Sequence, residues 1–483
     1  MEAKEVTLKI DDKEAKAKEG ETILNVARKM GIHIPTLCYS SALEPFGACR
    51  LCSVEIMDKR GRKRIVTSCN YPVEEGLTVF TKSDKVVKTR KVLLELLLAR
   101  CPKVNKIQDM AREYGVEKST FSISDEEEDC ILCGLCKRVC EERIGVYGIN
   151  FAKRGVDREV TAPYHEFSDD CIGCGACAII CPTKSKKIRI NTYPTLPEDV
   201  EKIEKQFLTG TKDENIGVYN DIFAAKSMID GQDGGVATAL LVAGMQKGLF
   251  DAVIVVQSLY GYRAEAVIAE NINDIIKAKQ TKYLRVKMMS KLAELINKGK
   301  RKLAMVGTAC EVRAARKIQL SLLDEFPDLD LTIVGLFCFE SFDYEKLKAE
   351  TKRLLGVDLD KAEKTQIHKG KYMVTIEGKE YSASVRDLSK AVENGCIYCD
   401  DFTAKLADIS VGSVGSEDGY STVIVRSEKG KKLIEKLDLA RGSVNKEEIA
   451  KIATLKRNRA KKSFAPILQD LCVQPLPELS QTS

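Results

Sequence analysis

The sequence predicts a multidomain protein in which two α+β modules precede an α/β domain. Three observations indicate this fold class. The chain opens with an alternating strand pattern, two dense cysteine runs lie before residue 190, and apolar runs alternate with helical stretches after residue 216. A length of 483 residues is enough for about three domains. We therefore expect modules at 1–100 and 101–190, a linker at 191–215 and a larger domain at 216–483.

Composition argues against several classes of protein. The net charge is only +6, Trp is absent and no long block of like charges occurs, so the chain has no nucleic-acid signature. No apolar run approaches the roughly 18 residues of a membrane span. The start MEAKEVTLKI is not that of a signal peptide. We expect a cytoplasmic protein whose 18 cysteines are reduced thiols or metal ligands.

The first module combines a strand pattern with four spaced cysteines. Residues 6–10 and 13–19 predict a β-hairpin, and residues 21–31 predict a helix with one apolar face. The cysteines are Cys38, Cys49, Cys52 and Cys69. The short middle gap and the distant fourth cysteine follow the plant-type 2Fe-2S pattern, although the first gap is longer. A structural zinc ion is the alternative.

The second module carries two runs of the form C-x2-C-x2-C-x3-C, at 130–140 and 171–181. This is the ligand run of bacterial ferredoxins with two 4Fe-4S clusters, in which the fourth cysteine binds the other cluster. Zinc motifs usually separate two C-x2-C pairs by a long gap, so zinc is the weaker alternative. The predicted sets are Cys130, Cys133, Cys136 and Cys181, and Cys171, Cys174, Cys177 and Cys140. We expect positive φ at Gly134, Gly173 and Gly175, because the chain must wrap tightly there.

The third domain contains four further cysteines. Apolar runs at 250–256, 301–307 and 331–337 predict buried strands. Cys310 and Cys338 each follow one of these strands, and Cys396 and Cys399 form a C-x2-C pair. The count suggests another 4Fe-4S cluster, with a redox-active C-x2-C pair as the competing interpretation.

A glycine-rich segment in this domain resembles a phosphate-binding turn. Gly231, Asp233, Gly234 and Gly235 precede a helix predicted at about 236–248. Glycines before a helix allow a diphosphate to approach its amide groups. The alternative is a plain tight turn in which Asp233 caps the helix. Gly412, Gly415 and Gly419 form a second flexible loop.

The N-terminal half resembles a known group of redox proteins. Residues 36–56 and 67–79 are similar to the 2Fe-2S domain of the large complex I iron–sulfur subunit, of iron-only hydrogenases and of some formate dehydrogenases. The resemblance covers about residues 5–190 and implies a β-grasp 2Fe-2S domain followed by a ferredoxin domain. Those families carry a further cluster on one His and three Cys, of which only Cys101 remains here. We infer that this cluster is lost and that Cys101 is a packing residue; Cys472 is also left over.

The C-terminal half resembles the beta subunit of F420-dependent hydrogenases and formate dehydrogenases. Segments 229–241, 306–317, 335–341 and 394–416 carry this resemblance, although GTAC replaces the family's GTPC. It implies FAD, one 4Fe-4S cluster and hydride exchange with a 5-deazaflavin. The cofactor-binding residues that it implies, together with the glycine loops, are Gly231, Asp233, Gly234, Gly235, Thr281, Lys282, Tyr283, Gly307, Thr308, Gly412, Gly415 and Gly419.

Together these patterns predict an oxidoreductase subunit: an iron–sulfur flavoprotein with one 2Fe-2S cluster, three 4Fe-4S clusters and FAD. Coenzyme F420 is the expected substrate, and the expected partner is a redox subunit of hydrogenase, formate dehydrogenase or reductase type. No side chain need be catalytic, because the cofactors carry the chemistry. Lys282 or Arg285 is expected to hold the anionic tail of the deazaflavin. An NAD(P)H- or ferredoxin-linked enzyme, and an electron-transfer subunit with a degenerate flavin pocket, remain alternatives.

Overall fold

The computed structural model describes residues 4–165, 168, 170–191 and 197–468. Within these ranges, no helix is both long enough and apolar enough to cross a membrane.

The N-terminal module is a mixed five-stranded sheet with one helix packed on it. Its elements are β1 (Glu5–Ile10), β2 (Lys13–Lys18), α1 (Ile23–Lys29), β3 (Ser53–Met57), β4 (Lys63–Thr67) and β5 (Thr78–Phe80). The strand order is β2-β1-β5-β3-β4, with β1 and β5 parallel. Thr22 caps α1, and the apolar face of this helix packs on the alternating apolar residues of β1. The predicted hairpin and helix are both present.

Two helices connect this module to the next. α2 (Asp84–Arg100) begins at the Ser83 cap and packs against α3 (Asn105–Glu113). The buried Arg90 of α2 donates hydrogen bonds to the carbonyl oxygens of Leu51 (3.1 Å) and Ser53 (2.8 Å), so α2 is fastened to the loop that carries Cys52.

The second module is built from short elements around its two cysteine runs. They are α4 (Leu135–Arg138), a π-helical segment (Val139–Ile144), β6 (Asn150–Ala152), β7 (Glu159–Thr161), α5 (Ala176–Ile179) and α6 (Lys186–Asn191). Gly134, Gly173 and Gly175 all have positive φ, as predicted from the tight cysteine spacing. α4 and α5 begin directly after Gly134 and Gly175.

The predicted linker is wrong from residue 197 onward. α7 (Pro197–Phe207) buries Ile203 in the core of the C-terminal domain, and Asp199 forms an ion pair with Lys317 (3.0 Å). β8 (Thr211–Asp213) and β9 (Gly217–Tyr219) follow as a small hairpin. Most side chains of α7 are polar, which suggested a linker exposed to solvent. Its few apolar side chains nevertheless pack into the core of the C-terminal domain.

The C-terminal domain is built on an eight-stranded sheet of order β12-β11-β13-β14-β18-β19-β10-β20. Strands β11, β13, β14 and β18 are parallel neighbours, and the remaining pairs are antiparallel. A separate three-stranded sheet contains β15, β16 and β17. The strands are β10 (Asp221–Lys226), β11 (Ala252–Tyr260), β12 (Arg263–Ala269), β13 (Lys302–Thr308), β14 (Asp330–Leu336), β15 (Lys364–His368), β16 (Lys371–Ile376), β17 (Lys379–Ser384), β18 (Ile409–Gly412), β19 (Ser421–Val425) and β20 (Ala440–Gly442).

Helices cover both faces of this sheet. Leu303 and Met305 of β13 lie in one core while Ala304 lies in the other, as the alternation of side chains along a strand requires. The helices are α8 (Val236–Gln246), α9 (Ile272–Lys277), α10 (Met289–Asn297), α11 (Ala309–Ser321), α12 (Tyr344–Leu355), α13 (Glu428–Ile434) and α14 (Lys446–Leu468). The three apolar runs predicted as strands are β11, β13 and β14.

Candidate metal centres and cofactor site

The structure gathers the four cysteines of the first module. The backbone amide of Cys49 donates to Cys38 Sγ at 3.4 Å, and Cys38, Cys52 and Cys69 are all buried. A hydrogen bond from Cys49 lowers the pKa of Cys38 to about 6. A hydrogen bond from Cys69 likewise lowers the pKa of Cys52 to about 7. The four thiols thus form two hydrogen-bonded pairs, and the lowered pKa values of Cys38 and Cys52 favour the thiolate, which is the metal-binding form.

The second module shows the crossed grouping. Cys181 lies close enough to Cys133 and Cys136 for its charge to raise the pKa of both, after the larger effect of burial. Conversely, burial raises the pKa of Cys174 to about 12, and the nearby charge of Cys140 contributes to this rise. A cavity with about 330 Å³ of atom-free space is lined by Cys140, Cys171, Cys174 and Cys177. Each run therefore sends its fourth cysteine to the other set; the ligand roles themselves remain predictions.

Cys101 lies beside these sets, and its exclusion from them stays a prediction. It is fully buried, and burial raises its pKa to about 12, with Glu128 and Cys130 nearby. Such a thiol packs as a small apolar group. Cys472, the other unassigned cysteine, lies outside the described residues.

We expect Cys101→Ser to leave the iron content unchanged. The substitution places a hydroxyl in an apolar site, so a modest loss of stability, about 1 kcal/mol, is expected. Iron analysis and the visible spectrum check the prediction. A drop of about four iron atoms in the folded variant would show that Cys101 is a cluster ligand.

The four cysteines of the C-terminal domain surround one cavity. Cys310 begins α11 directly after β13, and Cys338 follows β14; because these strands are parallel, both lie at the same edge of the sheet. The 3-10 helix Asn394–Tyr398 brings Cys396, and Cys399 follows it. The cavity has about 550 Å³ of atom-free space. Burial raises the pKa of Cys310 to about 12, and neighbouring Cys399 and Cys338 add to the rise.

Three cations also line this cavity: Arg285, Arg313 and Lys456. Lys456, on α14, is 1% exposed and donates a hydrogen bond to the carbonyl oxygen of Cys338. Burial acts to lower its pKa, but the thiolates of Cys399 and Cys338 raise the pKa above its usual value. No motif in the sequence pointed to Lys456, because its position depends on where α14 packs.

The donor set fits an anionic cluster. A buried ammonium without a counter-charge costs several kcal/mol. A 4Fe-4S cluster held by the four thiolates would supply negative charge in this cavity, whereas a disulfide between Cys396 and Cys399 would be neutral. All four cysteines are free thiols here. Within the described ranges, no three His, Cys, Asp or Glu side chains are grouped to hold a single metal ion.

Neighbouring cysteine sets lie side by side. Cys174 of the second module lines the same cavity as the C-terminal set, and Cys136 and Cys177 interact electrostatically across the second module. Arg138 donates to the carbonyl oxygen of Cys38 at 2.7 Å and so ties the first module to the second. The four sets therefore form one continuous series from the first module to the C-terminal domain.

The two glycine loops lie together with part of the 281–283 segment. The Gln232 side chain donates to the Tyr283 hydroxyl (2.9 Å) and accepts from the Thr281 amide (3.1 Å). The amide of Gly234 donates to Ser421 Oγ (3.1 Å), at the end of the loop that carries Gly412, Gly415 and Gly419. This arrangement leaves the cofactor roles of these residues as predictions.

Close backbone packing explains several of the glycines. A Cβ at Gly234 would lie 2.3 Å from the Ala225 carbonyl oxygen, and one at Gly235 would lie 1.9 Å from that of Ile229. A Cβ at Gly412 would lie 2.2 Å from the Phe337 ring. The turn therefore needs glycine for its own geometry, whatever it binds. Asp233 does not cap α8, whose N-cap is Gly235 without a side-chain hydrogen bond.

Lys282 and Arg285 make hydrogen bonds within the protein. Lys282 donates to the carbonyl oxygens of Ala278 and Lys279, both at 2.7 Å, and so closes the end of α9. Burial lowers its pKa to about 8. Arg285 donates to the Asp170 carbonyl oxygen (2.5 Å) and lines the C-terminal cysteine cavity.

Gly307 and Thr308 are also beside that cavity. Thr308 Oγ1 lies 3.2 Å from Cys310 Sγ, and a Cβ at Gly307 would lie 2.9 Å from the Cβ of Glu311. The two residues form the end of β13, directly before Cys310. Their place after a buried strand fits a contact with the flavin and a contact with the cysteine cavity equally well, so the sequence alone could not separate these two roles.

A histidine lies near the glycine turn. His368 Nε2 is 3.6 Å from Asp418. Burial raises the pKa of Asp233, and the nearby His368 opposes this rise. His368 ends β15, whose Ile367 amide donates to the Tyr283 hydroxyl (2.9 Å).

These features define a class of modular iron–sulfur proteins: a 2Fe-2S module, a module of two 4Fe-4S clusters and an α/β domain. Family models match in the same order: a 2Fe-2S iron–sulfur cluster binding domain at 3–84 and a 4Fe-4S dicluster domain at 99–185. The coenzyme F420 hydrogenase/dehydrogenase beta subunit family matches with its N-terminal part at 222–293 and its C-terminal part at 300–451. The chain belongs to this beta subunit family, with the two iron–sulfur modules preceding the family region.

Individual relatives agree with this assignment. Coenzyme F420-dependent sulfite reductase of Methanocaldococcus jannaschii is 37% identical over 50% of this chain. A solved chain of the F420-reducing NiFe hydrogenase complex of Methanosarcina barkeri is 31% identical, with a TM-score of 0.50 over 52% of this chain and 94% of that chain. A subunit of the NADH-quinone oxidoreductase of Rhizobium meliloti is 32% identical over 32% of this chain. The chain covers 40% of the sulfite reductase and 21% of the quinone oxidoreductase subunit.

Proposed function

We propose that this chain is an oxidoreductase subunit that exchanges hydride between coenzyme F420 and FAD and relays single electrons to a partner subunit. The C-terminal domain holds FAD and one 4Fe-4S cluster on Cys310, Cys338, Cys396 and Cys399. The two N-terminal modules hold two 4Fe-4S clusters and one 2Fe-2S cluster on their own three cysteine sets. The relatives named for F420 support this substrate.

The observation that carries the proposal is the continuous series of cysteine sets. Cys174 lines the cavity of the C-terminal set, and Arg313, which lies between Cys174 and Cys399, interacts electrostatically with both. Tyr398 packs in the same core as the second module's cysteines. A chain that only bound a hydride carrier would have no need of such a series.

FAD, when bound, supplies the exchange between two-electron and one-electron transfer. The chain's own residues bind and orient it. The turn Gly231–Gly235 stands before α8, whose amide groups favour a diphosphate. Gln232 and the Ile367 amide both donate hydrogen bonds to the Tyr283 hydroxyl, and these bonds hold the Tyr283 side chain in place beside the glycine turn.

The partner is expected at the far end of the series, in the first module. The loop before Cys49 is exposed at Phe46, and Arg50 directly after it is also exposed. A redox subunit of hydrogenase, formate dehydrogenase or sulfite reductase type fits this position. The proposal places this chain and its partner in the cytoplasm. No amino-acid side chain acts as a nucleophile.

The test is donor selectivity of the protein purified without oxygen. We expect a flavin spectrum and bleaching by reduced F420 at least about a hundredfold faster than by NADH, a difference of about 2.7 kcal/mol in activation free energy. Stopped-flow absorbance with equal concentrations of reduced F420, NADH and reduced ferredoxin measures it. Protein stripped of flavin is the control for direct reduction of the clusters.

Each alternative has its own result. Prompt bleaching by NADH or reduced ferredoxin, with none by reduced F420, contradicts the proposed substrate. Absence of flavin in protein that retains full iron would favour the electron-transfer subunit with a degenerate pocket.

A further inference from the structure

Lys456 is a buried cation that the proposed electron path does not yet use. It is 1% exposed, and its hydrogen bond goes to a neutral group, the carbonyl oxygen of Cys338. In the part of the chain that the structure describes, no carboxylate lies within ion-pair distance of its ammonium group. The charges that act on it most strongly are those of Cys399 and Cys338.

The neighbouring cysteine cavity provides a contrast within the same chain. The lining of the cavity around Cys140 and Cys171 consists of cysteines, glycines and apolar side chains, with no lysine or arginine. The C-terminal cavity has Lys456, Arg285 and Arg313 on its wall. Glu393 is the carboxyl group on that wall, so three cations face one carboxyl group there.

One-electron reduction adds one negative charge to a cluster. A fixed positive charge nearby stabilises the reduced state, and a dry surrounding weakens the screening of that charge. The two adjacent cavities differ in the cations on their walls. They should therefore hold clusters of different reduction potential, even though each has four cysteine ligands.

On the proposed assignment of the four cysteine sets, we infer that Lys456 is a positioning charge that raises the reduction potential of the C-terminal 4Fe-4S cluster above that of its neighbour on Cys140, Cys171, Cys174 and Cys177. Electrons that enter from the flavin site then collect on the C-terminal cluster before they move on. Lys456 does not bind the cluster; it acts through charge from behind the Cys338 segment.

Arg313 cannot serve the same purpose alone. Its guanidinium forms ion pairs with Asp400 and, at 3.9 Å, with Asp401, so much of its charge is balanced. It also faces Cys174 as well as Cys399, so it acts on both clusters. The cysteines whose charges act on Lys456 are Cys399, Cys338 and Cys396, all of the C-terminal set, and the Asp401 carboxylate acts on it as well.

The experiment is a redox titration of the full chain followed by electron paramagnetic resonance. We expect Lys456→Met to lower the midpoint potential of one 4Fe-4S cluster and to leave the other clusters unchanged. Loss of a nearby unit charge changes the one-electron equilibrium constant by about tenfold or more, and tenfold corresponds to 59 mV. Lys456→Arg keeps the charge and should keep the potential near that of the unaltered protein.

Lys451→Met is the matched control, because Lys451 lies on α14 and is exposed. It should change no potential. Equal midpoint potentials in Lys456→Met and the unaltered protein, both with full iron, would overturn the inference. Loss of the cluster in Lys456→Arg as well as in Lys456→Met would also overturn it, since the role would then be packing. Unaltered protein with only about ten iron atoms would instead contradict the C-terminal cluster itself, and with it this inference.

Discussion

Purified without oxygen, the chain is expected to contain about 14 iron atoms, and Cys396→Ala about ten. The expectation follows from four sets of four cysteines, of which one set has 2Fe-2S spacing and three surround 4Fe-4S positions. Cys396 Sγ accepts a hydrogen bond from the Ser341 amide (3.3 Å) and lies in the C-terminal cavity. The same variant should still be reduced at its flavin by reduced F420, but electrons should not reach the N-terminal clusters. Iron analysis and rapid-freeze spectra measure the two effects.

Cys101→Ala is the matched control for this variant. It removes a fully buried thiol that the prediction assigns to no set, so iron content and electron transfer should both be retained. About ten iron atoms per chain in the unaltered protein would mean that one 4Fe-4S cluster of the assignment is absent. The C-terminal cluster would be the first to be removed from the assignment. Zinc in stoichiometric amount would contradict the assignment of the site that holds it.

Cys38→Ala and Cys69→Ala are each expected to remove about two iron atoms and leave flavin reduction unchanged. The first module contacts the second through Arg138 and the Cys38 carbonyl, and the second module lies between it and the C-terminal cavity. Electron delivery to the partner subunit should therefore fall to background in the complex co-purified with the chain. Stopped-flow flavin bleaching and partner turnover, measured on the same samples, separate the two steps.

The same result in both cysteine variants would show that the effect comes from loss of the cluster and not from local misfolding, because the two residues lie in different loops. Cys38 lies in the loop before β3 and Cys69 in the loop after β4. If flavin reduction itself fails in both variants while they remain folded, the 2Fe-2S cluster is not at the remote end of the series.

The cysteine grouping could be predicted because ligand spacing is a local property. Eight cysteines within two short runs leave the chain few ways to reach two clusters, so the crossing of Cys140 and Cys181 follows from the spacing. Cys310 and Cys338 could be placed together because parallel strands end at the same edge of a sheet. These inferences needed only secondary structure.

Other features depend on packing between distant segments. Lys456 lies more than fifty residues after Cys399, and nothing local to it indicates burial beside a cysteine set. The destinations of Lys282 and Arg285 likewise depend on which carbonyl oxygens lie within reach. The α7 segment was predicted as a linker because its few apolar residues do not reveal the surface that covers them.

The long helix α14 has a consequence for how the protein matures. Its residues pack on Gly415, on the Cys338 segment and, through Phe464, edge-on against Tyr398 at 5.2 Å. Arg459 donates to the Cys396 carbonyl oxygen (3.1 Å), so the helix also holds that ligand segment in place. All sixteen assigned cysteines precede α14, and a chain leaves the ribosome N-terminus first. The C-terminal cysteine set therefore lacks this cover until α14 has been synthesised.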